Sequence, residues 1–103
     1  MIDAQTCFGI DETVAGAVTL QTFGTSYLDS TAGAVTATLP DGQFMGQKKI
    51  VRMSNATNPS TVSVSHHETS DPEVFTFAET TDILILEWNG LEWVTINNQG
   101  ATL

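Results

Sequence analysis

An all-β fold is what this sequence predicts: a compact antiparallel β-sandwich or barrel of about seven strands, ending in an Asn-Gly hairpin. Three observations carry that expectation. Threonine is the commonest residue, while Lys and Arg together number 3, so long unbranched helix formers are scarce. Apolar residues recur at every second position in short runs, which is the period of a strand with one buried face. Turn residues punctuate those runs at short, regular spacing. A chain of 103 residues is one domain's length.

The opening stretch, MIDAQTCFGIDE, has no clear period. It carries Cys7, Phe8 and Ile10 beside the acidic Asp3, Asp11 and Glu12. Residues 1–15 therefore read as an arm or lead, and 16–103 as a single β domain. Ala17–Phe23 sets Val18 and Leu20 against Thr19 and Gln21. Ala34–Leu39 sets Val35, Ala37 and Leu39 against Thr36 and Thr38. Pro40-Asp41-Gly42 follows as a turn, in which proline fixes φ and glycine is expected to supply φ > 0. Gln47–Met53 is the next strand, and Ser54–Ser60 a polar loop. Thr61–Ser65 alternates Val62 and Val64 with hydroxyl residues. The polar connection His66–Pro72 leads to Val74–Phe77, where Phe75 and Phe77 share a face. No internal repeat stands out.

Ile83–Trp88 and Leu91–Ile96 flank Asn89-Gly90, the strongest local hairpin signal in the chain. A two-residue type I′ turn would place Trp88 opposite Leu91, Leu86 opposite Trp93 and Leu84 opposite Thr95. The other side would pair Ile85 with Val94 and Ile83 with Ile96, and would set Glu87 against Glu92. Both faces of such a hairpin are apolar. One belongs to the core, and Ile83, Ile85, Val94 and Ile96 are expected at a subunit interface.

Twelve acidic against three basic residues give a net charge of −9. That balance repels phosphate backbones and anionic lipid, so neither nucleic acid nor a membrane is an expected partner. No apolar run approaches the ~18 residues of a spanning helix, and the opening residues lack the basic and apolar regions of a signal peptide. A single cysteine, Cys7, cannot make an intrachain disulfide.

Motifs for chemistry are missing. There is no phosphate loop with a lysine and no Gly-flanked nucleophilic serine. His66 and His67 are adjacent, so on a strand they point to opposite faces and do not easily share one ion; a solvated loop pair is expected, the alternative being three copies of one His gathered around an ion on a trimer axis. Asp71, Glu73, Glu79 and Asp82 lack the spacing of a calcium loop and read as an acidic rim. Trp88 and Trp93 offer faces for stacking sugars, but packing is the simpler role. The expectation is no enzyme, no catalytic residue, no metal and no cofactor. All three cations, Lys48, Lys49 and Arg52, fall in one strand. They are expected either to guard a sheet edge or to form a docking patch, with at least one of them approaching Glu87 or Glu92.

The order of these motifs resembles the small β-structured virion proteins of tailed bacteriophages. The resembling segments are TLPDGQFMGQKKIVRM, TVSVS, a Phe-rich strand and DILILEWNGLEWVTI, within Ala17–Ile96. In many of those proteins a Leu-Pro-Asp-Gly turn leads into a Gly-Gln-Lys strand, and a Leu-x-Trp-Asn-Gly-x-x-Trp hairpin closes the domain. The chain looks most like the head decoration, or cement, proteins. That resemblance implies a non-enzymatic protein made in the host cytoplasm, which binds the outside of the capsid as a homotrimer and stabilises the shell. Its partners would be the major capsid protein and itself. Phe8 and Ile10 of the arm would be the capsid contacts. The alternative it implies is a trimeric tail-fibre or tailspike module that binds host surface glycans.

Overall fold

The computed structural model describes residues 11–103, and among them there is no helix. The strands are β1 (Glu12–Val14), β2 (Ala17–Thr19), β3 (Gly24–Asp29), β4 (Thr36–Leu39), β5 (Lys48–Asn55), β6 (Ser60–Val64), β7 (Glu73–Phe77), β8 (Ile83–Trp88) and β9 (Trp93–Gln99). They form a five-stranded sheet in the order β1-β3-β5-β8-β9 and a four-stranded sheet in the order β2-β4-β6-β7. The sheets are not closed into a barrel. Their inner faces enclose one core, in which Leu28, Leu39, Val51, Phe77, Leu84 and Trp93 are inaccessible to solvent.

Through β6 the chain changes sheet at every strand. Each strand therefore lies parallel to the one two places before it: β1 with β3, β3 with β5, β2 with β4 and β4 with β6. The first half is three stacked rungs of a two-sheeted coil. Antiparallel pairing begins after it, in β6–β7, β5–β8 and β8–β9. The expected antiparallel body is thus corrected to a mixed one. Period-two alternation reports which side chains face inward, and it is blind to strand direction. Direction is set by the connections, and those in the first half cross between sheets instead of turning back.

Each of the seven expected segments carries a strand, and β1 and β3 add two. Both added strands hide their period behind a polar residue that faces inward. Ser26 of β3 is fully buried, and Glu12 of β1 stands beside it in register. Both belong to a polar chain that ends on Lys49 of β5, also fully buried. The Lys49 ammonium donates to the Phe23 carbonyl at 3.2 Å and to Ser26 Oγ at 2.6 Å. Ser26 in turn donates to Glu12 Oε2 at 2.5 Å, which also accepts the Gln21 N–H at 2.9 Å. One interior ladder of polar groups thus ties three successive rungs together. Strand β1 lies inside the stretch assigned to an arm, and Val14 is a core residue. The preceding residues, with Cys7, Phe8 and Ile10, lie outside the described part.

Loop backbone in the first half is satisfied by side chains. Ser30 Oγ donates to the Asn55 carbonyl at 2.8 Å, and Asn58 Nδ2 donates to the Ser30 carbonyl at 2.8 Å. The buried Gln47 accepts the Gln43 N–H and donates to the Thr22 carbonyl, both at 2.6 Å. Such bonds do for the crossing loops what tight turns do for hairpins.

The β8–β9 hairpin has a four-residue loop, so the two-residue register is corrected throughout. Trp88 pairs with Trp93, Glu87 with Val94 and Leu86 with Thr95. A bulge follows, and Ile85 and Ile83 then pair with Asn97 and Gln99. Asn89 explains the longer loop: its Oδ1 accepts the N–H groups of both Leu91 and Glu92 at 2.9 Å. Gly90 supplies the positive φ, at 101°. Gly42 of the Pro-Asp-Gly turn is not among the glycines at positive φ. Its reason is space, because a Cβ there would lie 2.3 Å from the Trp88 ring.

Candidate functional site

Side chains that leave the five-stranded sheet outward form a grid that the cross-strand register defines. One level runs Tyr27, Arg52, Ile83 and Gln99 across β3, β5, β8 and β9. The next runs Thr25, Ile50, Ile85 and Asn97. The third runs Lys48, Glu87 and Val94, and at its β3 end lies a cleft of about 240 Å³. Phe23, Phe44 and Ile50 supply the cleft's apolar wall, beside Gly24 and Gly46. Tyr27, Ile50, Ile83, Ile85 and Val94 are all half-buried, and Phe44 is exposed. Aliphatic and aromatic groups thus cover the centre of a sheet face that nothing in the described chain packs against.

The face also holds every exposed cation of a chain with three. Lys48 Nζ lies 3.6 Å from Glu87 Oε1, across the β5–β8 ladder. Both side chains are solvated, so this pair contributes little to stability. Arg52 is exposed and has no ion-pair partner among the described residues. Strand β5 is the middle strand of its sheet, so the edge-guarding reading of these cations is corrected. Lys49 leaves the group entirely. Burial pulls its ammonium down to about 8, against the opposing pull of the Glu12 and Asp11 carboxylates.

The expected site residues therefore separate. Ile83, Ile85 and Val94 stand together on the outer face. Ile96 is the extra residue of the β9 bulge and is exposed. Glu92 lies in the hairpin loop, opposite no strand residue, and its carbonyl accepts the Asn89 N–H. Phe8 and Ile10 lie outside the described residues. Sequence reasoning missed Tyr27, because β3 was not recognised. It also missed Phe23 and Phe44, although Phe44 and Met45 side by side inside the turn-rich GQFMGQ were a visible cue for the second.

No protein-family model matches the chain, and no curated protein matches it. The reading of the site rests on its geometry.

Other candidate groups are accounted for by structure. Trp93 is fully buried, donates its indole N–H to the Pro40 carbonyl at 2.9 Å and meets Trp88 edge-on, with ring centroids 5.4 Å apart. The two histidines differ. His66 is exposed and its Nδ1 lies 2.5 Å from Asp41 Oδ1, a contact that raises its pKa above the ordinary value. His67 is buried, contrary to the solvated pair expected. Its ring nitrogens lie 2.9 Å and 2.7 Å from the hydroxyls of Thr69 and Thr95, and its edge meets Phe75. Of the expected acidic rim, Asp82 is interior and accepts the N–H groups of Ala78 and Glu79. Among the described residues no three His, Cys, Asp or Glu side chains gather as metal ligands.

Proposed function

We propose that the chain is a structural protein of a tailed-phage virion, which binds the outer surface of the capsid, assembles with itself there and stabilises the shell. The resemblance of its motif order to head decoration proteins motivates the reading. The observation that carries it against the alternative is the fate of the two tryptophans. A glycan-binding module needs aromatic faces open to solvent, whereas Trp88 is 5% exposed and Trp93 0%. The Trp-Asn-Gly-x-x-Trp hairpin thus serves the interior, and the open apolar surface is a sheet face of aliphatic and aromatic groups suited to protein. In this reading Phe8 and Ile10 contact the major capsid protein. Co-sedimentation with purified empty heads and with isolated tails tests it. Binding to heads is expected, weakened when residues before Asp11 are removed. Binding to tails alone, or a positive glycan array, would replace it with the tail-fibre reading.

A further inference from the structure

We propose that the outer face of the five-stranded sheet is self-complementary, and that a second copy of the chain docks on it about a two-fold axis running parallel to the strands between β5 and β8. The inference rests on the self-assembly part of the reading above, and it sets two copies against the homotrimer that the resemblance implies.

The register of the strands makes the face self-complementary. Rotation about that axis exchanges β5 with β8 and β3 with β9, and it keeps each residue at its own level along the strands. Lys48 then stands over the partner's Glu87, and Glu87 over the partner's Lys48. Ile50 stands over the partner's Ile85, and Arg52 over the partner's Ile83. Val94, at the β9 end of its level, falls on the partner's cleft between Phe23 and Phe44, which lies at the β3 end of the same level. Every charge in the central columns meets an opposite charge or an aliphatic group. The other in-plane two-fold, perpendicular to the strands, sets Lys48 over the partner's Arg52 and is excluded by repulsion. A two-fold contact uses one patch twice, so this residue-by-residue agreement is what such a contact demands.

Charge agrees with a second copy as occupant. The chain carries −9, and its exposed cations lie on this one face. Two anionic bodies that meet here do so across the surface that carries the exposed lysine and arginine of each. Aligned packing of two sheets is an ordinary geometry for such a contact.

Sedimentation equilibrium of the full chain at micromolar concentration tests the proposal. The wild type is expected to be a dimer. Lys48→Glu and Glu87→Lys should each weaken it by about tenfold or more, since either variant places like charges at both rim contacts. Mixed in equal amounts, the two variants should dimerise again, because each contact then joins one lysine to one glutamate. Circular dichroism and tryptophan fluorescence check that both variants keep the fold. A wild-type monomer overturns the proposal, and so does a mixture that stays monomeric. A trimer that binds heads overturns this geometry alone, whereas a dimer that ignores heads overturns only the virion reading.

Discussion

The three rungs from β1 to β6 and the closing strands β7 to β9 keep their order by different means. The rungs carry polar groups inside: Glu12, Ser26 and Lys49 in one chain, with Gln47, Ser30 and Ser60 buried beside the loops. The closing strands carry rings inside, from Phe75, Phe77, Trp88 and Trp93. Neighbouring rungs are parallel and distant in sequence, so no tight turn can set their alignment. Directional hydrogen bonds do it instead. The closing strands are antiparallel, and turns and large apolar contacts suffice. Polar burial within the strands therefore marks the places where the chain has no local device for fixing one strand against the next, while the buried polar groups of the second half, His67 and Asp82, lie in its connections.

The largest expected effect attacks the aromatic end. Trp93→Ala removes a fully buried ring, its edge contact with Trp88 and its bond to the Pro40 carbonyl, and should cost about 3–5 kcal/mol in urea unfolding. A loss under ~1 kcal/mol would mean that the closing strands do not depend on their rings. Next comes the polar end. Burial holds Lys49 at about 8 in the folded protein, below the ordinary 10.5 of the unfolded chain. Between those values the unfolded chain binds more protons, so stability rises as pH increases through that window. This one group should add about 2–3 kcal/mol. Unfolding curves from neutral pH to pH 10.5 should show the rise in the wild type and not in Lys49→Met. Parallel pH profiles would mean that the lysine is solvated. The smallest effect lies where the two regions meet. By NMR, His66 should titrate above 6.5, and Asp41→Asn should bring it back toward that value. No change in titration would show that the contact is lost in solution.

Legibility followed the same division. The inward residues of β4 and β6 alternate with polar ones, and the sequence showed them directly, whereas β8 is apolar on both faces as far as Glu87. β3 was invisible because Ser26 occupies an inward position and Tyr27 an outward one, which inverts the expected pattern. Parallel pairing was invisible because Glu12, Ser26 and Val51 come side by side from unequal spacings, so no repeat appears. At the candidate site, Ile83, Ile85 and the solvated Lys48 and Arg52 were legible from period two alone. The pairing of Glu87 with Val94 was not, since it depends on two backbone N–H bonds to the Asn89 side chain that lengthen the loop.

The distribution of cations along β5 has one more consequence, which concerns misalignment. If β5 slipped by one residue against β3 and β8, its faces would exchange. Lys48 and Arg52 would both be driven into the interior, where Glu12 offers one carboxylate between the two, while Val51 and Met53 would turn to water. Lys49 would turn outward, away from Ser26 and the Phe23 carbonyl. A slip of two would restore the faces but carry Lys49 past its only two acceptors. The strand thus rejects its neighbouring alignments through unpaired buried charge, a penalty far steeper than the loss of a few apolar contacts. In a coil whose rungs have no hairpin to align them, the middle strand serves as its own ruler.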